Sequence, residues 1–255
     1  MLGSGGLAVA RRIQEYYAAN PLMVSSPFGG VDGVNEELLE AVFAALDIDV
    51  ADRAVLDVGC GRGHVGGFVE RRGGRYVGMD LLVSRRGFTM VLADGADLPF
   101  RDGAFDAVFC VDAFEHFPDP VQAAREFRRV LAPGGFVFLS APNYSNVAGF
   151  VKKAAETFGR YEKNTWAPFR HWQPQELEHA LTGRKVRRIF HGAGFTNLRR
   201  IAHGGEIDLG LFPWTAHARM PEAITFRLQR LFGRIGPAVA RIWPGASLHG
   251  FWKIG

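Results

Sequence analysis

The sequence predicts an α/β protein with a doubly wound, mostly parallel sheet, and three observations carry that expectation. Short apolar segments alternate with amphipathic stretches between residues 54 and 140. The first of them, "AVLDV", runs straight into a glycine-rich turn at Gly59. Acids stand at or beside the ends of successive strands, at Asp57, Asp80, Asp94 and Asp112. Near-continuous apolar strands separated by amphipathic helices are the pattern of a parallel sheet covered on both faces.

Taken in order, helical periodicity comes first, in "LAVARRIQEYYAA" (7–19) and "NEELLEAVFAAL" (35–46), with Asn35 placed to cap the second. Strands are expected at Ala54–Val58, Tyr76–Met79, Met90–Ala93, Ala107–Val111 and Phe136–Ser140. Asp119-Pro120 reads as N-cap and first residue of the helix "VQAAREFRRVL", which Pro133-Gly134-Gly135 stops. Residues 142–172 form a connecting region rich in aromatics, including Tyr144, Phe150, Phe158, Tyr161, Trp166, Phe169 and Trp172. A helix is expected at 174–182, bounded by Pro174 and Gly183, and a strand near 196–202. "PEAITFRLQRLFGRI" (221–235) reads as a basic amphipathic helix, with Arg227, Arg230 and Arg234 on one face and Ile224, Leu228, Leu231 and Ile235 on another. Gly236-Pro237 should break or kink it, and "LHGFWKI" reads as a final strand. This divides the chain into an N-terminal helical lid (1–50), a core (51–203), a basic helical insertion (204–245) and a strand returning to the sheet (246–255).

The 255 residues, 47% apolar and 22% charged, suffice for one large α/β domain with insertions, or at most two small ones. No apolar run has the length of a membrane-spanning helix, and the start has no basic segment leading into an apolar signal core. Two cysteines, Cys60 and Cys110, lie in apolar surroundings without a CxxC pair, which fits a reducing cytoplasm better than a disulfide framework or a cysteine-based zinc site. The histidines have no metal-ligand spacing, so no metal is expected. The net charge of +4 conceals an asymmetry: residues 1–150 carry 13 Lys and Arg against 19 Asp and Glu, residues 151–255 carry 17 against 7. A basic C-terminal portion suits an anionic lipid surface or nucleic acid, or is simply solvated surface.

"VLDVGCGRGHVGGF" (55–68) holds two overlapping glycine patterns that point to different cofactors. Gly61-x-Gly63-x-x-Gly66 has the spacing of a dinucleotide-binding turn. Asp57-x-Gly59-x-Gly61-x-Gly63 has the spacing that cradles S-adenosylmethionine. The strand runs directly into Gly59, so the turn begins there and Asp57 gains a role. A dinucleotide needs a pyrophosphate cradle, whereas an adenosyl sulfonium carries an ammonium and a positive sulfur that favour acids near the strand ends. Asp80 suits ribose hydroxyls under either reading. Asp94, in "VLADGADLPF", has no counterpart in the dinucleotide pattern, and its carboxylate can accept from an adenine amino group. Asp94 tips the reading toward the methyl donor.

With those residues in view, "VLDVGCGRG", "VGMDL", "VLADGADLPFRDGAFDAVFCVDAFEHFPDP" and "REFRRVLAPGGFVFLSAPN" resemble successive motifs of the class I S-adenosylmethionine-dependent methyltransferases. The branch is similar to methyltransferase type 11 and to the ubiquinone and menaquinone biosynthesis enzymes. The resemblance covers roughly residues 53–143 with four motifs in order, and thins over 170–203. It implies a Rossmann-like, seven-stranded sheet whose last strand, "GFWKI", is antiparallel. It also implies roles: Gly59, Gly61 and Gly63 let the backbone approach the donor, Asp80 takes the ribose and Leu81 packs on the adenine. Asp94 and Gly95 hold the adenine edge, Cys110, Val111 and Asp112 lie beside the methionine moiety, and Asp57, Cys60 and Ala96 complete the site. One departure stands out: 13 residues separate Asp80 from Asp94, little room for the usual intervening helix.

The expected reaction is in-line attack by an acceptor on the sulfonium methyl, giving S-adenosylhomocysteine. Where the acceptor must lose a proton, His116 in "FEHF" is the best-placed base, and His171 in "FRHW" is a second candidate. Both also have plain structural readings, as a loop cap and a packing residue. The aromatic segments suit an apolar or aromatic small molecule, such as a quinone precursor, lipid or natural product. The alternatives are an RNA methyltransferase using the basic portion, a donor-binding protein without catalysis, or a dinucleotide-dependent oxidoreductase. The expected location is the cytoplasm, with peripheral contact to an anionic membrane through residues 221–243.

Overall fold

A computed structural model describes residues 15, 29–30, 33–81, 88–159, 177–202, 204–212 and 221–255. Among them, a brief antiparallel pairing of Gly29–Gly30 with Gly33–Val34 precedes a seven-stranded sheet. Its strands are β1 (Ala54–Val58), β2 (Arg75–Asp80), β3 (Thr89–Leu92), β4 (Phe105–Val111), β5 (Leu131–Pro142), β6 (Leu198–Ala202) and β7 (His249–Ile254). They lie side by side in the order β3-β2-β1-β4-β5-β7-β6. All pairs from β3 to β5 are parallel, and β7 runs antiparallel between β5 and β6. The Rossmann-like sheet with one antiparallel strand is therefore present. The order reverses at β1, which places a crevice at the carboxyl ends of β1 and β4, where open α/β sheets bind ligands.

Alternation along the central strands divides the core into two layers. Leu56, Val58, Val108, Cys110, Val137 and Leu139 point to one face, packed by α3 (Pro120–Val130) through Ala123 and Phe127 and by α5 (Gly183–Gly192) through Val186, Ile189 and Phe190. Val55, Ala107, Phe109, Phe136 and Phe138 point to the other, under α1 (Glu36–Leu46) and α2 (Gly66–Arg71). Phe43 of α1 meets Phe68, Phe109 and Phe138 edge-on, with ring centroids 5.2–5.7 Å apart. Within the expected lid segment, then, α1 belongs to the sheet's own core. Two helix starts follow the expected chemistry. Asn35 accepts from the Leu38 amide, and Asp119 accepts from Val121 and Gln122 with Pro120 in the first turn.

Three expectations change. α3 ends at Val130, before Pro133-Gly134-Gly135; those residues lie inside β5, where Asp106 faces the extra residues between the Phe105–Leu131 and Ala107–Phe136 pairs. The helix expected at 174–182 is absent over 177–182, and α5 begins only at Gly183, where Thr182 caps Lys185. The physical reason is competition for backbone partners: the His179 amide donates to the Glu115 carbonyl, and the Leu181 carbonyl accepts from Tyr144. The basic helix, α7 (Glu222–Ile242), runs unbroken through Gly236-Pro237. A side chain at Gly236 would overlap the Gly204 carbonyl, and Pro237 lies against the Gly204 backbone, so tertiary packing overrides the breaker. Two further α-helices, α4 (Val147–Thr157) and α6 (Ile207–Leu211), and two 3-10 turns, Phe114–His116 and Gly204–Glu206, are also described. The expected helix at 7–19, apart from Glu15, and the aromatics Tyr161, Trp166, Phe169 and Trp172 lie outside the described residues.

Candidate active site

The turn after β1 is fixed by backbone conformation. Gly59, Gly61 and Gly63 have φ of +77°, +53° and +71°, a region that side chains with a Cβ occupy at a cost. A Cβ at Gly59 would overlap that of Ala113, so β1 and the segment after β4 meet there without a side chain between them. At Gly61 a Cβ would meet no atom within 4 Å, and the backbone faces open space. The amides of Gly59 and Cys60 both donate to the Met79 carbonyl, at 2.8 and 3.1 Å. Gly66, the last glycine of the dinucleotide spacing, serves packing: a Cβ there would lie 2.9 Å from the Tyr76 ring.

Two carboxylates bracket this turn. Asp80, at the end of β2, accepts from the Gly61 amide at 2.7 Å. Asp57 is buried within β1 and accepts from the Tyr76 hydroxyl at 2.7 Å, while its other oxygen has no hydrogen-bond partner among the described residues. Burial, helped by the charge of Asp80 and opposed by the Tyr76 hydrogen bond, pushes the Asp57 carboxyl up to about 7. An orphaned buried carboxylate oxygen calls for a cationic donor. A pyrophosphate would meet two acids here, and the Gly61 amide that would cradle it is already held by Asp80. The residues therefore fit an adenosyl methionine and not a dinucleotide.

The other expected positions gather around the same crevice. Leu81 directly follows Asp80 and is half-buried. Asp94 accepts from the Ala96 amide at 2.9 Å and closes a turn with Asp97, which holds "DGA" in place after β3. Gly95 is tight against Phe117, whose ring would be 2.8 Å from a Cβ and also approaches Gly59. Phe117 thus joins the β1 and β3 turns as a shared wall, a role its place in "FEHF" did not disclose. Cys60 and Cys110 are buried free thiols pushed up by burial, which suits packing rather than thiolate chemistry. Val111, next to Cys110 in the strand, is half-buried.

Beyond β4 lies a buried polar cluster. Asp112 has φ +49° and accepts from the Ser140 hydroxyl at 2.7 Å. Its carboxylate is 3.7 Å from His249 Nε2, and His249 Nδ1 is 2.6 Å from Glu206. Burial alone lowers the His249 imidazole, but Glu206 and Asp112 outweigh it and raise it to about 9, so it is an imidazolium at neutral pH. Glu115 is buried, with Oε2 lacking a hydrogen-bond partner among the described residues, and burial and the Asp112 charge hold its carboxyl well above the usual range. His116 Nδ1 is 2.6 Å from the Leu177 carbonyl and its Nε2 is 3.8 Å from Glu115. Burial lowers this imidazole to about 4, so it is a neutral, weak base. Residues 177–181 form a strap over the strand ends: Glu178 bonds the Tyr144 hydroxyl, and His179 Nε2 lies 3.1 Å from the Phe117 carbonyl. Of the two expected histidines, His116 is here; His171 lies outside the described residues. His249, Glu206 and Ser140 come from distant segments, and no local spacing marked them. Among the described residues, no group of three or more His, Cys, Asp or Glu side chains is arranged to hold a metal ion.

Comparison with known proteins identifies the family. Residues 56–139 match the family described as "Methyltransferase domain". The ubiquinone biosynthesis O-methyltransferase of Chromobacterium violaceum is 30% identical over 171 residues, which span 60% of this chain and 72% of that protein. This chain belongs to the class I S-adenosylmethionine-dependent methyltransferases. A methyltransferase of Mycobacterium sp. (strain JLS) is 37% identical over 105 residues, 38% of this chain and 42% of that protein. Among solved structures, a SAM-dependent methyltransferase from Archaeoglobus fulgidus covers 89% of this chain and 95% of its own at 16% identity, with a TM-score of 0.54. The [4+2]-cyclase SpnF covers 96% and 91% at 18% identity, with a TM-score of 0.53. These two likenesses speak for the fold alone. The methyltransferase therefore takes S-adenosylmethionine as its cofactor, and no helix among the described residues is long and apolar enough to cross a membrane.

Proposed function

We propose that this methyltransferase acts on a hydroxyl of a small apolar or aromatic molecule, such as a quinone precursor, lipid or natural product. The observation that carries this reading is the buried cluster of Asp112, Glu115 and His249 directly beyond the strand end expected beside the methionine moiety. A hydroxyl must shed its proton when it takes a methyl group, and this cluster offers acidic and basic groups in electrostatic contact. The 30% identity to ubiquinone biosynthesis O-methyltransferases supports the same acceptor class. When bound, S-adenosylmethionine supplies a methyl group already activated on a positive sulfur.

The chain's own residues then have distinct tasks. Asp57 and Asp80 would hold the cationic and ribose portions of the donor, and the glycines of the β1 turn would let the backbone approach it. Asp112 receives the acceptor's proton, its position fixed by Ser140 and its charge balanced by His249. His116 orients the Glu115 side of the cluster through its tie to Leu177 rather than serving as the base. The strap at 177–181 excludes water from the strand ends.

The test is transfer of radiolabelled methyl from S-adenosylmethionine to catechols, prenylated phenols and RNA offered in parallel. Label in a phenolic product, with Asp112→Asn slowing it by about 10²–10⁴ while S-adenosylhomocysteine still binds, supports the proposal. Label in RNA alone, or an Asp112→Asn enzyme of unchanged rate, overturns it.

A further inference from the structure

We infer that α7 docks this enzyme on an anionic phospholipid surface. Its inner face is satisfied: Phe232 and Ala240 are buried, with Leu228 and Val239 packed beside them against Ile207 and Ala246. That splits the apolar face read from the sequence, since Leu228 turns inward while its neighbours do not. Ile224, Leu231, Ile235 and Ile242 stay exposed, Leu231 at 50% and Ile242 at 85%. Their spacings of seven, four and seven residues keep them within about 20° of one line along the helix. The stripe is about 27 Å long at the usual rise per residue.

An exposed apolar stripe alone does not choose its partner; the charges do. Arg227, Arg230, Arg234 and Arg241 are all exposed and fall about 60–120° round from the stripe, on the side away from the core. After Glu222 the helix holds no acid. Apolar side chains flanked lengthwise by arginines match the boundary between acyl chains and anionic headgroups. Arginine stems also lie along apolar surface while their heads reach phosphate. RNA would use the arginines and leave the stripe without a role, and a second copy of the chain would bring like charges together.

Placement gives the docking a purpose. At the end of α7, Trp243 is half-exposed, and the next residues return to the carboxyl end of the sheet. Asn143, just past β5, donates to the Gly245 and Ser247 carbonyls, and Arg200 donates to that of Pro244. A helix lying in the headgroup layer therefore sets the crevice beside the lipid phase, where an apolar acceptor dissolves. The docking itself does not depend on the acceptor being a hydroxyl compound.

The test uses the full chain with vesicles of phosphatidylcholine, and of phosphatidylcholine with roughly one-third phosphatidylglycerol. The protein is expected to float with the anionic vesicles only, and to be released by high salt. Arg227→Gln/Arg230→Gln/Arg234→Gln should weaken partitioning on the order of a hundredfold, and Leu231→Asp/Ile235→Asp should abolish it. Both variants should keep the wild-type affinity for S-adenosylhomocysteine, which shows that they fold. Equal flotation with both vesicle types, undiminished flotation of either variant, or a wild-type dimer that Leu231→Asp/Ile235→Asp makes monomeric would each overturn the inference.

Discussion

Replacing Asp57 with asparagine should make the ligand-free protein more stable at neutral pH while weakening its hold on the donor. The Asp57 carboxyl titrates near 3.8 in a solvated chain and near 7 in the fold, because burial penalises its charge. The folded state therefore keeps a proton that the unfolded state releases. The stability this gives is complete below pH 4 and is lost as pH rises toward and through 7. The difference of about three units corresponds to roughly 4 kcal/mol in total, of which about 2 kcal/mol falls between pH 5 and 7. Asparagine keeps an oxygen for Tyr76 and never ionises, so the variant lacks this loss. Thermal unfolding at pH 5 and at pH 7–8 should show the wild-type midpoint falling relative to Asp57→Asn by about 4–8 °C. The comparison between the two proteins cancels the other titrating groups. S-adenosylhomocysteine should then narrow the gap, since its ammonium group favours the ionised carboxylate, and wild-type affinity should rise with pH up to about 7 while the variant's does not. Parallel pH profiles of the two proteins would refute both the buried-carboxylate argument and the assignment of Asp57 to the donor.

Three other outcomes are expected. Gly59→Ala combines left-handed backbone with overlap on Ala113 and should cost about 2–4 kcal/mol in urea unfolding, whereas Gly61→Ala, with open space around it, should cost about 1–2 kcal/mol yet still impair donor binding. His249→Gln removes an imidazolium lying between Glu206 and Asp112 and should destabilise by about 3–5 kcal/mol. Because the His249 imidazole titrates near 9 instead of 6.5, its contribution is present below pH 6.5 and lost toward pH 9, so the wild-type stability curve should fall over that range and the variant's should be flatter. His116, held near 4, should show no titration of its ring signals by NMR between pH 5.5 and 8, and an inflection near 6.5 would contradict its burial against Leu177.

The donor side was legible in sequence because its parts are local. Each strand ends in the acid or glycine that serves the crevice, so order along the chain becomes order in space. Asn35 and Asp119 likewise act on amides two or three residues away. The polar cluster was hidden for the opposite reason. Asp112, Glu206 and His249 meet only because β7 lies beside β5 and brings its first residue to Pro142. "PQELEHAL" misled because its spacing suits a helix, while the carbonyls and amides of Glu115 and Tyr144 offered 177–181 other partners. Pro237 misled because local chemistry does not register the glycine turn that α7 packs upon.

The position of β7 carries a consequence for how this protein is made. It is the last of the seven strands along the chain, yet it lies inside the sheet and alone connects β6 to the rest. A ribosome must therefore complete six strands, and the 46 residues between Ala202 and His249, before the gap beside β5 can close. Until then β5 presents an open edge, and β6 has no strand to join. Pairings across such sequence distances form slowly, and an open edge in that interval invites pairing with another nascent chain. Chaperone dependence during synthesis should accordingly be set by the closing of this one gap, more than by the donor-binding half, whose strands emerge in the order in which they pair.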